Sequence, residues 1–161
     1  MDILGKARSQ QNLLERIAGR IPGFRGYREK ELRRDADRIE REHLARQLEE
    51  CKKTLDAWAA DASRSGALDS INDIETARKR LDKLIARIRY ADRGYAGFFD
   101  AVKLDEEALS RVYAFDAALL SDVDAIRGAL SSADAVRGMI ERVDSLDAKL
   151  GEREDMLAGI R

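Results

Sequence analysis

The sequence predicts an all-α fold: an elongated bundle of about five helices built on a long antiparallel helical hairpin. Three observations carry that expectation. Charged residues fill 38% and apolar residues 44% of the 161 positions, with a single proline, the balance of long amphipathic helices. Apolar residues recur at steps of three and four through most of the chain. No segment alternates in the two-residue rhythm of a half-buried strand.

Residues 1–20 read as an amphipathic N-terminal helix, with Ile3, Ala7, Leu14, Ile17 and Ile21 along one stripe. Pro22-Gly23 and then Gly26 end it, because proline cannot extend the hydrogen-bond ladder and glycine favours a turn. A second helix is expected over 27–62. Leu32, Ala36, Ile39 and His43 step by four and three, and Leu48, Cys51, Leu55, Trp58 and Ala62 resume the alternation after a one-residue slip near Leu44. At about 1.5 Å per residue this helix would be about 54 Å long, more than a compact globule of this size needs.

A turn over 63–69 follows, and Ser70 with Asp73 has capping-box spacing with Asp in place of Glu. Ile71, Ile74, Leu81, Ile85 and Ile88 carry a third helix over 70–103, kinked or ended at Gly94. Segments 27–62 and 70–103 would form the hairpin. Asp105, with Glu106 and Glu107 where the helix dipole favours acids, opens a helix over 105–130. Ser131 and Asp134 repeat the cap spacing ahead of a last helix over 132–158, so a single helical domain is expected over 1–161.

The formal charge of −1 conceals a gradient. Residues 1–34 hold nine Lys/Arg against four Asp/Glu, residues 35–90 hold twelve of each, and residues 91–161 hold nine against fifteen. Such a basic head and acidic tail favour head-to-tail pairing between copies or a polyanion at the N-terminus. The lone Cys51 excludes an intrachain disulfide framework. Met1–Arg8 lacks the order of a secretory signal, and no apolar run reaches the roughly 18 residues of a membrane span, so a cytoplasmic location is expected.

The sequence offers residues for several chemistries. Glu40 and His43 have the Glu-x-x-His spacing of di-iron bundles, but His43 is the only histidine, so no metal or other cofactor is expected. Cys51 lies on an apolar stripe and Ser63, Ser65 and Ser70 have no histidine nearby in sequence, which leaves no nucleophile and no catalytic residue. Arg16, Arg20, Arg25, Arg28, Lys30, Arg33 and Arg34 interleave with Phe24 and Tyr27, a mixture that could hold nucleic acid. The acidic remainder of the chain and the lack of a recognition motif disfavour that partner. Ile3, Leu4, Leu13, Leu14, Ile17 and Ile21 opposite Lys6, Arg8, Arg16 and Arg20 would suit an anionic membrane surface. The layout of short amphipathic helix, proline-containing break and long hairpin resembles, in architecture alone, the phage-shock class of membrane-remodelling proteins, which implies a peripheral membrane role.

Recognition is expected in the aromatic stretches. Eight of nine aromatic residues fall in Ile21–Tyr27, in Tyr90–Phe99 and at Tyr113 and Phe115. The first two also carry Gly and Arg and interrupt the helical patterning, as binding loops of helical proteins do. In the expected hairpin their distances from Gly66 differ by only about 9–15 Å along the helices, so both should meet at one end. Phe24, Arg25, Tyr27, Arg28, Arg93, Tyr95, Phe98 and Phe99 are the candidate binding residues, and a buried aromatic plug is the alternative. The function expected is a non-catalytic scaffold or adaptor that self-associates or binds a protein partner.

Overall fold

The computed structural model describes residues 2–91, 95–132 and 135–160. Among them the protein is all-helical, with six α-helices packed as a bundle: α1 (Ile3–Arg20), α2 (Arg33–Ser65), α3 (Leu68–Arg89), α4 (Ala96–Asp100), α5 (Glu106–Ala129) and α6 (Val136–Ala158). A single 3₁₀ turn, Lys30–Leu32, leads into α2. No described helix is long and apolar enough to cross a membrane.

The packing follows from which charges face each other. Glu49, Lys52 and Asp56 of α2 pair with Arg89, Asp82 and Arg78 of α3, so positions climb along one helix as they fall along the other. On α6, Asp144, Asp147 and Glu154 pair with Arg80 and Arg87 of α3. Lys149 and Arg153 of α6 meet Asp122 and Asp116 of α5, and Arg127 of α5 meets Glu50 of α2. Helices α2, α3, α6 and α5 therefore close a ring around a core of Leu44, Leu48, Leu55, Leu81, Ile85, Leu109, Val123 and Val143, all buried. Each such side chain removed from water contributes about 1.5–3 kcal/mol. Helix α1 lies outside the ring on α5, held by buried Ile17 and by the bidentate Arg20–Asp124 pair.

Several boundaries differ from the sequence expectation, among them that of the last helix, which starts at Val136 and not at 132, behind Ala135 with no side-chain cap. The helix expected from residue 27 starts at Arg33, because Gly23 and Gly26 both take φ of 85° and fold Tyr27 back into the interior. The turn expected over 63–69 shrinks to two residues. Left-handed Gly66 (φ 74°) lets the Ala67 amide reach the Ala62 carbonyl at 3.0 Å, and α3 then starts at Leu68 with no side-chain cap, so Ser70 and Asp73 lie within it. The helix expected over 70–103 stops at Arg89 and gives way to the one-and-a-half-turn α4, whose Phe98 and Phe99 point inward. Asp105 caps α5 as its spacing implies, accepting from the Ala108 amide at 2.7 Å. The expected cap residue Asp134 lies outside the described residues.

Candidate functional site

The aromatic stretches converge at one end of the bundle, below the ring of leucines. Tyr27 is the hub. Its ring lies 5.5 Å from Phe24, 5.1 Å from Phe98 and 5.7 Å from Tyr113, while Tyr95 and Phe98 flank Phe99. The edge-on arrangements at Phe24, Phe98 and Tyr95 suit the ring quadrupoles. The Tyr27 amide donates to the Tyr113 hydroxyl at 3.0 Å, and the Arg33 guanidinium donates to the carbonyls of Tyr27 (2.8 Å) and Ala101 (2.5 Å). The loop before α2 and the segment after α4 are thereby tied to one buried cation.

Above the rings sits a sealed cluster of charges. Arg153 is 2% exposed and meets three carboxylates: Asp116 at 2.8 Å, Asp37 at 3.0 Å and Glu40 at 3.3 Å. Arg41 pairs with Asp37 at 2.8 Å and donates to the carbonyls of Ile88 and Arg89 at the end of α3. The Tyr27 hydroxyl lies 2.7 Å from Glu40 Oε2 and 2.5 Å from Asp116 Oδ2. Loop, α2, α3, α5 and α6 are thus joined at one point. The Arg153 guanidinium lies 5.7 Å from the Tyr95 ring centre.

Burial shifts these groups strongly. Desolvation, reinforced by Asp116, holds the Glu40 carboxyl well above the usual carboxylate range. Desolvation and then Asp116 and Glu40 push the Tyr27 phenol well above its ordinary value. At Arg153 burial opposes the charge, but Asp116, Tyr27, Glu40 and Asp37 outweigh it, and the guanidinium is held firmly cationic. With Asp116, Asp37 and Arg153 all at 2% exposure or less, the cluster is closed to solvent in this conformation.

The sequence-predicted residues divide sharply. Phe24, Tyr27, Tyr95, Phe98 and Phe99 come together and are all buried, so in this conformation they present no surface to a partner. Arg25 and Arg28 are exposed, and Arg93 lies outside the described residues. Arg28 turns toward α1 and the start of α5: it grips Glu106 with two nitrogens and donates to the Gln10 side chain at 2.9 Å. Glu40 and His43 do not meet. Glu40 faces Arg153, whereas half-buried His43 sits among Arg46, Arg20 and Asp124, its pKa lowered by desolvation and then by the arginines. Among the described residues no group of three or more His, Cys, Asp or Glu is placed to hold a metal ion. Burial raises the Cys51 thiol to about 11, the condition of an unreactive packed cysteine.

Sequence reasoning missed Asp37, Arg41, Asp116 and Arg153 and put Arg33, which is buried, in the basic run, yet their phase betrays them. Arg153 falls in step with Val143, Leu146, Leu150 and Leu157, and Asp116 with Val112, Leu119, Leu120 and Val123, all buried. In α2 the inward line is Arg33, Asp37, Glu40, Leu44, Leu48, Cys51 and Leu55, which steps by three and four without a break. The slip near Leu44 disappears once charged residues are allowed inward. The stripe of Leu32, Ile39 and His43 is only half-buried.

Among the described residues an accessible groove of about 830 Å³ runs between α1 and α5. Ile3, Ala7 and Ala114 give it apolar walls, Lys6, Arg28 and Arg111 one sign of charge, and Glu106 and Glu107 the other. Buried Gln10 fixes its floor, donating to the Glu106 carbonyl at 3.1 Å and to the Ser110 hydroxyl at 3.0 Å. Beside it Ile3 and Leu4 stand 72% and 82% exposed. No protein-family model, curated protein or solved structure matches the chain.

Proposed function

We propose that this protein is a non-catalytic helical scaffold that self-associates, with the groove between α1 and α5 as its contact face and α2 and α3 as a long antiparallel hairpin that stiffens it. The observation that carries this reading is the pairing of an open apolar groove with two large exposed apolar side chains, Ile3 and Leu4, on the same helix. A second copy turned about a two-fold axis would seat its Ile3 and Leu4 in this groove while offering its own groove in return. Opposite charges along the rim, Lys6 and Arg111 against Glu106 and Glu107, are the set that a self-complementary contact uses. The sealing of the charged cluster supports a role without chemistry, since a substrate would have to displace Arg153 to reach it.

The test is molar mass in solution by light scattering coupled to gel filtration. A dimer or larger species is expected, weakened by salt, and Ile3→Asp with Leu4→Asp should return it to a monomer of unchanged helicity. A strict monomer at roughly ten to a hundred micromolar, where ordinary weak complexes form, ends the reading.

An anionic membrane surface is the second reading, favoured by Lys6 and Arg8 next to exposed Ile3 and Leu4. Against it, the stripe that would insert is largely in use, with Ile17 buried and Leu13 and Leu14 packed on the core. Pelleting with anionic vesicles by the monomer, lost in the same double variant, would favour it over self-association.

A further inference from the structure

The Tyr27 hydroxyl has one proton and two carboxylate oxygens within hydrogen-bond range, Glu40 Oε2 at 2.7 Å and Asp116 Oδ2 at 2.5 Å. It can donate to only one of them. Two ionised oxygens on one hydroxyl would leave a lone-pair contact offset only by the long contacts of Arg153 Nη2, 3.2 Å from the Tyr27 oxygen and 3.3 Å from Glu40 Oε2, in a site closed to water where such a defect is costly. A carboxyl proton resolves the geometry: one acid donates to the Tyr27 oxygen, and Tyr27 donates to the other. Which acid holds the proton follows from their other contacts. Asp116 receives Arg153 Nε directly at 2.8 Å, the position of an ionised partner. Glu40 has only the longer 3.3 Å contact with Arg153, and its second oxygen, Oε1, is buried with no hydrogen-bond partner. An orphaned oxygen is far cheaper on a neutral acid than on a carboxylate.

The count of charges agrees. The groups facing Glu40 are Tyr27 from the loop, Asp37 and Arg41 from its own helix, Asp116 from α5 and Arg153 from α6, with the Tyr95 ring beyond Arg153. Helix α3 contributes only backbone carbonyls, to Arg41. Arg33, the other buried cation nearby, is spent on the carbonyls of Tyr27 and Ala101. Two arginines balance Asp37 and Asp116, and an ionised Glu40 would leave one negative charge without a partner.

We propose that Glu40 is kept as a neutral carboxylic acid in the folded protein, where its proton donates to the Tyr27 oxygen while the hydroxyl proton of Tyr27 donates to Asp116, and that this chain of hydrogen bonds latches the aromatic end of the bundle shut. The Glu40 proton is released to solvent when that end opens, and alkaline conditions therefore favour opening. The sign follows from linkage. Burial, then Asp116, raises the folded-state pKa of Glu40 above its unfolded value, so the folded state binds the extra proton. The associated stability is complete below the unfolded pKa and is lost as pH rises through the folded one.

Infrared spectra of protein labelled with carboxyl ¹³C in glutamate only, or in aspartate only, test this directly. At neutral pH the folded wild-type protein should show a protonated-carboxyl band that shifts with glutamate label, and Glu40→Gln should lack it. No band, or a band that shifts only with aspartate label, overturns the proposal without any variant having to fold. Urea denaturation as a function of pH gives the second readout. Through the window between the two Glu40 pKa values, the wild-type unfolding constant should rise by up to about tenfold per pH unit, one proton's worth. Glu40→Gln should remove that rise, and an unchanged pH profile in a folded Glu40→Gln protein would count against the latch.

Discussion

Removing Arg153 is the sharpest perturbation the structure offers. Arg153→Met keeps the length and apolar stem of the side chain while deleting the cation that three carboxyl groups share. Asp37 retains Arg41 at 2.8 Å and is not orphaned. Asp116 keeps the Tyr27 hydroxyl but loses its only charged partner among the described residues. Breaking a buried pair by removing one partner costs about 3–5 kcal/mol, and a loss of roughly 3–4 kcal/mol at pH 7 is expected because Asp116 keeps the Tyr27 hydroxyl. With a urea m-value of about 2 kcal/mol/M, the midpoint should drop by about 1.5–2 M at pH 7. Far-UV circular dichroism follows the transition. Adding Asp116→Asn to Arg153→Met removes the stranded charge and should recover a large part of the loss. A penalty below about 1 kcal/mol at pH 7, or no recovery from Asp116→Asn, would show that the cluster is not electrostatically coupled as its distances imply.

Three further outcomes follow from other parts of the fold. Gly26→Ala forces an L residue to φ of 85° and places its Cβ 2.5 Å from the Tyr113 hydroxyl; the strain of about 1–2 kcal/mol plus the displaced Tyr113–Tyr27 hydrogen bond should lower stability by about 2–3 kcal/mol, read as a shift in urea midpoint. Cys51, with its thiol raised to about 11 by burial, should resist a thiol reagent at neutral pH in the native state and react fully in urea; rapid native labelling would refute the packing at that position. Replacing Ile17, fully buried, by Glu should cost several kcal/mol of stability, read as lost helicity or a lower urea midpoint, rather than leave a folded protein with a freed α1, which would be the outcome if α1 were only loosely apposed.

Local chemistry made much of the helical layout readable. Asp105 followed by two glutamates could only be a good start for α5, and Pro22 with Gly23 could only stop α1, because caps and breaks act within a turn of where they stand. The meeting of Phe24, Tyr27, Phe98 and Phe99 was also in reach, since helix rise fixes how far each stretch lies from Gly66. Whether those rings face a partner or the interior was not. Their burial depends on α4 folding inward and on Arg33 clasping the carbonyls of Tyr27 and Ala101, contacts made across long stretches of chain. The charged cluster was hidden for a related reason. Periodicity assigns polar residues to solvent by default, since an unpaired buried charge is prohibitive. Arg33, Asp37, Glu40 and Arg41 escape that rule only because Asp116, Arg153 and the carbonyls of α3 and of the segment after α4 arrive to pair with them. The sequence determined the all-helical class, the stop of α1 before Pro22 and the start of α5 at Asp105. Tertiary structure alone decided that a face of charges points inward, because the partners that make it tolerable are brought together only by the closed bundle.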